Sequence, residues 1–193
     1  MTSEFYQNAK GFELSRQELD AVFSDLREIA LEKGTSRELT GLQHENGVPL
    51  EYSVPIDPGT AQELFHPHDR SLCVEEAILR YQMPSPTEPD EDDTIREYIS
   101  LTIEAELLAS DGITIQEFFV IEKTDDVTKA YIDVNYLDQN SSPVSFAEKH
   151  EEPLELSVPE TVLTNLIDII ELNRPLMLND LEALRLLHDA LSA

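Results

Sequence analysis

A chain of 193 residues with 40% apolar side chains and only 6 glycines can bury a sizeable core and is too apolar to stay disordered. Forty acids face thirteen bases, and the formal charge of −27 repels nucleic acid and anionic membranes while attracting basic proteins. The single cysteine, Cys73, excludes an internal disulfide, and no apolar stretch is long enough to cross a bilayer.

In chain order, Ser15-Arg16-Gln17-Glu18 is a capping box, and Leu19, Val22, Phe23, Leu26, Ile29 and Ala30 follow on one helical stripe. Gly34 is placed to end that helix. Two extended runs, Leu39–Gln43 and Pro49–Val54, flank Glu45-Asn46-Gly47, a hairpin turn. Thr60-Ala61-Gln62-Glu63 has the form of a second capping box, opening a short helix that Pro67 stops. A further helix is expected over 71–82, with Leu72, Val74, Ala77, Ile78 and Tyr81 inward.

The stretch "PSPTEPDEDD" at 84–93 combines Pro84, Pro86 and Pro89 with the run Asp90-Glu91-Asp92-Asp93. Proline opposes helix and sheet, and like charges extend a chain, so a linker is expected here. The same run is also the densest acidic segment and a candidate contact for a basic partner.

Beyond it the period changes from 3.6 to 2. Ile99, Leu101, Ile103, Ala105 and Leu107 alternate with Tyr98, Ser100, Thr102, Glu104 and Glu106, as in a strand with one buried face. Asp111-Gly112 turns the chain into a return strand over 113–123, whose phase slips around Gln116-Glu117-Phe118-Phe119 and suggests a bulge or an edge. A third strand over 127–137 carries Ala130, Ile132, Val134 and Tyr136 on one face. Shorter extended runs lie at Val144–Ala147 and Leu154–Val158. Ser157-Val158-Pro159-Glu160 opens a helix that Asn173-Arg174-Pro175 breaks, and Asn179-Asp180-Leu181-Glu182 starts another bearing Leu184, Leu187 and Leu191.

The expected fold is therefore α+β. An antiparallel meander of about four to five strands is covered on one face by a C-terminal αα-hairpin. A mainly helical N-terminal part with a short β-hairpin precedes it. The expected organisation is a subdomain over 1–83, a linker over 84–93 and a second subdomain over 94–193.

Motifs of chemistry are scarce. His66-Pro67-His68-Asp69 with Cys73 resembles a metal cluster, but no second ligand pair stands at zinc spacing. A polar loop, with Asp69 or Ser71 capping the next helix, explains these residues, and Cys73 falls on the apolar stripe of that helix. A calcium loop starting at Asp90 would need glycine and glutamate where Ile95 and Leu101 stand. There is no nucleophile elbow, P-loop, dinucleotide fingerprint or zinc-protease motif. No catalytic residue, metal or cofactor is assigned.

The acids are unevenly spread: 15 against 7 bases in 1–83, but 25 against 6 in 84–193. The second segment is thus the better electrostatic surface. Glu104 and Glu106 stand about 6.7 Å apart on one strand face, close to the roughly 6.8 Å rise of two nucleotides. Asp133 and Glu155 are placed on nearby strands, and with Asp90, Glu91, Asp92 and Asp93 they form the candidate partner-binding set. A solvated sheet face, or adaptation to salt, accounts for the same residues.

The leading expectation is a non-enzymatic acidic protein that inhibits or sequesters a basic partner, such as a nuclease or another DNA-binding enzyme. Its sharpest form is a nucleic-acid mimic of the kind used in phage counter-defence, with an immunity protein or antitoxin as the cousin. Such a protein binds neither nucleic acid nor membrane itself. The second class is an acidic homodimeric chaperone or adaptor for a secreted or unfolded client, and the third an enzyme of unfamiliar type. The first residues lack a basic and an apolar region of the secretory kind, so a cytoplasmic location is expected.

Overall fold

In the computed structural model the described residues are 6–7, 13–38, 50–83, 97–108, 112–123, 128–140 and 174–193. They form nine strands and three helices. In chain order these are β1 (Tyr6–Gln7), β2 (Glu13–Leu14), α1 (Arg16–Lys33), β3 (Thr35–Glu38), β4 (Leu50–Ile56), α2 (Pro58–Phe65), β5 (Leu72–Gln82), β6 (Glu97–Leu107), β7 (Thr114–Lys123), β8 (Thr128–Leu137), β9 (Arg174–Pro175) and α3 (Leu178–Ser192). β1 and β2 pair with each other, and the remaining seven strands form one antiparallel sheet in the order β3-β4-β5-β6-β7-β8-β9. The fold is mixed α+β, as expected, but its sheet is larger than the expected four to five strands.

The period-2 pattern is realised in β6, where Ile99, Leu101, Ile103, Ala105 and Leu107 are all buried. Ala130, Ile132 and Tyr136 of β8 are buried beside them. The helices supply the other wall of this core. Leu19, Val22, Phe23, Leu26, Ile29 and Ala30 of α1 join the same cluster, as do Ala61 of α2 and Leu181, Leu184 and Leu187 of α3. Ring contacts mark the seams: Phe23 meets Tyr81 edge-on at 6.4 Å, and Phe65 lies 5.0 Å from Phe119. Burying each Leu, Ile or Phe is worth about 1.5–3 kcal/mol. A strip this continuous therefore fixes which face of the sheet points inward.

The caps follow local chemistry. The Ser15 N–H donates to the Glu18 carboxylate (3.1 Å), and the Glu18 N–H donates to the Ser15 hydroxyl (3.2 Å). These bonds, first the one from the Ser15 backbone, hold the Glu18 carboxyl below its ordinary value. Gly34 ends α1, its N–H donating to the Ala30 carbonyl at 2.9 Å. Its φ of −76° is ordinary, so glycine is required by space: a Cβ here would lie 2.2 Å from that carbonyl oxygen. The second helix starts earlier than the capping pattern predicts. Asp57, not Thr60, is its cap, accepting from the Thr60 N–H at 2.9 Å, with Pro58 in the first turn.

The largest correction concerns 71–82, expected as a helix and observed as the strand β5. Its partner register with β6 shifts between Val74 and Glu76, which marks a bulge. The extra residue moves the buried set from Leu72 and Val74 to Ala77, Leu79 and Tyr81. The resulting apolar spacing imitates a helical stripe. Residues 116–119 form neither the expected bulge nor an edge, since β7 lies between β6 and β8 and keeps one register with both throughout. The apparent slip arises because Glu117 occupies an inward position between Ile115 and Phe119. An antiparallel pair does form in this region, but its first strand is β3 at Thr35–Glu38, with Thr35 opposite Ser53 and Glu38 opposite Leu50; the expected first run, 39–43, lies outside the described residues.

The N-terminal part thus contributes three strands to the sheet and is not mainly helical. β5 and β6, which flank the 84–93 stretch, pair directly, from Leu72 opposite Leu107 to Gln82 opposite Tyr98. The second helix of the expected C-terminal hairpin is α3, where the Asp180 carboxylate accepts from the Met177 N–H at 2.7 Å. The linker 84–93, the turn at 45–47, the runs at 144–147 and 154–158 and the helix expected after 157 lie outside the described residues. No described helix is long and apolar enough to cross a membrane.

Candidate functional site

Alternation along β6 sends Tyr98, Ser100, Thr102, Glu104 and Glu106 to the face opposite the core. The buried sides of α1, α2 and α3 all join the inner cluster, so among the described residues no helix packs on this outer face. Strand register sets its rows. Glu76 of β5 stands directly opposite Glu104, which stands opposite Gln116 and then Asn135. The next row towards that end runs Cys73, Glu106, Thr114 and Leu137. On the other side lies Ile78, Thr102, Phe118 and Asp133.

Of the candidate partner-binding residues, Glu104, Glu106 and Asp133 share this face and are partly exposed. Glu155, Asp90, Glu91, Asp92 and Asp93 lie outside the described residues. Glu76 joins the acidic corner and escaped the sequence reading, because a helix over 71–82 would have turned it elsewhere. The Gln116 side-chain amide donates to Glu104 at 2.5 Å. No ion pair joins Glu76, Glu104, Glu106 or Asp133 to a base among the described residues. Glu51, at the other end of the face, is instead neutralised by Arg37 at 2.8 Å. The face is less wet than its alternation suggests, since Ser100, Thr102 and Glu51 are only 7–8% exposed. The Arg80 guanidinium covers part of it, donating to the Thr102 hydroxyl at 2.8 Å.

The inner face holds a polar pair that sequence reasoning missed. His66 closes α2, its N–H donating to the Gln62 carbonyl at 3.0 Å. Its ring Nε2 lies 2.6 Å from a Glu117 carboxylate oxygen, with both side chains less than 15% exposed. Burial disfavours the imidazolium and is the largest single influence on it. The hydrogen bond to Glu117, the charge of Glu117 and that of Asp69 together outweigh it, so the His66 pKa stands above 6.5. The same carboxylate acts on Tyr136, whose phenol is pushed up first by burial and then by the Glu117 charge. Gln62 ties the loop to β5 by accepting from the Val74 N–H at 2.9 Å. The signal for this pair was present as the glutamate out of phase in β7, but its partner is 51 residues away in sequence.

The pair does not extend into a metal centre. Among the described residues no group of three or more His, Cys, Asp or Glu side chains is placed to hold an ion. His68 is exposed, and Asp69 caps no helix. Its carboxylate accepts from the Ser71 N–H at 2.8 Å, closing a turn into β5. Cys73 is exposed on the outer face, not buried in a core stripe, because the segment is a strand.

Comparison with protein-family models, with curated proteins and with solved structures returns no match. The geometry of the site therefore carries the functional reading.

Proposed function

We propose that this is a cytoplasmic, non-enzymatic acidic binding protein that inhibits or sequesters a basic protein partner, with a nucleic-acid mimic as its sharpest form. One observation supports the reading above the others: Glu76 and Glu104 face each other across β5 and β6, beside Glu106, with no neutralising base among the described residues. Like charges directly opposite on a sheet lower stability. A surface for a cationic partner gives such a pair a use, because the partner's charge relieves the repulsion. Carboxylates of this density also steer encounter with a basic protein and repel nucleic acid itself.

The test is binding to a lysine-rich linker histone, a basic DNA-binding protein, by calorimetry at low and physiological salt. Glu104, Glu106 and Asp133 are changed together to Lys. A control carries the same charge change on exposed positions of α1, at Asp25, Glu28 and Glu32. Glu18 is avoided because it caps the helix. The sheet variant is expected to lose at least about tenfold in affinity and the helix control less than about threefold. Duplex DNA should compete with the wild-type protein for the histone. Equal losses in both variants would reduce the binding to net charge alone and remove the sheet face as the site.

A further inference from the structure

We infer that residues 57–71 form a strap across the inner face of the sheet, fastened at its far end by His66 and Glu117, which comes away from β7 when His66 loses its proton. The inference goes beyond the acidic-binder reading and does not depend on it, since it concerns the other face.

Register shows how far the strap reaches. Ile56, Ala77, Ile103 and Glu117 stand in one row across β4, β5, β6 and β7. The chain leaves this row at Ile56, and His66 meets Glu117 three strands away before the chain returns to Leu72 on β5. At ~4.8 Å between strands that is about 14 Å of reach. Two side-chain contacts hold the far end to β7: the His66–Glu117 pair at 2.6 Å and the Phe65 ring on Phe119 at 5.0 Å. The strap is braced within itself, because the Gln62 amide donates to the His66 and Asp69 carbonyls at 3.1 and 3.4 Å. Its apolar burial is slight. Ala61 is the one buried residue of α2, against six in α1 and four in α3. Segments with few buried apolar contacts open at lower cost than the whole fold.

The proton sets the balance at the fastening. Glu117 is less than 15% exposed, and among the described residues no Lys or Arg pairs with it. A buried carboxylate without a countercharge is costly, and the imidazolium of His66 supplies that countercharge. Once the proton leaves, the ring still donates one N–H, but the charge of Glu117 stands alone and is relieved by water when the strap lifts. The neighbours do not take over. Asp69 adds a second negative charge beside His66. Tyr136 of β8 is pushed up by burial and by Glu117, so it stays a neutral phenol. Glu63, His68 and Arg70 of the strap and Glu75 and Glu76 of β5 are exposed. On α3, Arg185 is turned to Glu18 and Glu182, and His188 to Asp189. The fastened state binds the proton more tightly than the open one, so closure is favoured below about pH 6.5 and lost as pH rises through the closed-state value.

The test is amide hydrogen exchange of the full chain, corrected for the intrinsic effect of pH and read on peptides by mass spectrometry. Between about pH 6 and about pH 9, protection of α2 should fall at least about threefold while that of α1 and β6 holds. Glu117→Gln should reverse the sign. Burial of the ring then becomes the largest influence on His66, so its imidazolium is disfavoured in the closed strap and protection falls towards about pH 5 instead. His66→Gln removes the titrating group and should keep α2 protection constant, and it stands as the test if Glu117→Gln fails to fold. Wild-type protection that is constant with pH would overturn the inference, as would a fall shared equally by α1 and β6. A wild-type pH response retained by His66→Gln would overturn it as well.

Discussion

The imidazole Nε2 of His66 lies 2.6 Å from the Glu117 carboxylate, joining the end of α2 to the middle of β7. Folding raises the His66 pKa above 6.5, so the folded state binds the proton more tightly than the unfolded chain. The pair's contribution is then fully present below about pH 6.5 and is lost as pH rises through the folded value. Melting temperatures of the wild type and of His66→Gln should differ most at about pH 6 and converge towards about pH 9, a range in which carboxylates stay ionised. A gap of constant size across this range would show that folding leaves the His66 pKa unshifted.

Glu76 and Glu104 make a complementary case, in which a contact opposes folding. Glu76→Gln should stabilise the protein by about 0.2–1 kcal/mol, because one of two facing charges is removed from an antiparallel pair. The urea midpoint should rise with an unchanged slope. A fall in midpoint would mean that Glu76 makes a favourable contact.

Leu101 is wholly buried in β6, at the middle of the sheet. Leu101→Ala should cost about 2–5 kcal/mol, from lost transfer and the cavity left behind. Phe118→Thr, on the other face of the neighbouring strand, should cost clearly less. Equilibrium denaturation of the two variants decides it, and equal losses would show that the outer face is packed as tightly as the core.

Gly34 tests space without backbone strain. Gly34→Ala places a methyl 2.2 Å from the Ala30 carbonyl oxygen, so the C-terminus of α1 must shift. Overpacking of this kind costs about 1–3 kcal/mol. Unaltered stability would show that the α1–β3 junction relaxes freely.

Net charge affects the whole fold. Self-repulsion among 27 net negative charges should be screened by salt, and the melting temperature should rise from very low to physiological ionic strength. A requirement for molar salt before any folding occurs would identify the acidity as salt adaptation and remove the main support for the binding reading.

Elements whose signals are local can be read from the chain alone. Ser15 and Glu18 are three residues apart and announce the start of α1, and the alternation of Ile99 to Leu107 announces a half-buried strand. The acidic imbalance was equally plain, since it needs only counting. The remainder depends on how the strands pair. A bulge after Val74 gave β5 an apolar spacing that imitates a helix, and only pairing with β6 resolves that ambiguity. Glu117 looked like a break in a strand until His66 arrived from 51 residues away to satisfy it. The acidic corner is likewise a product of register: nothing near Glu76 in the chain says that Glu104 will stand opposite. Local signals encode what a segment is, because caps and periodicity act over a few residues. Which side chains meet is set by strand pairing and core burial, and those depend on the whole chain at once.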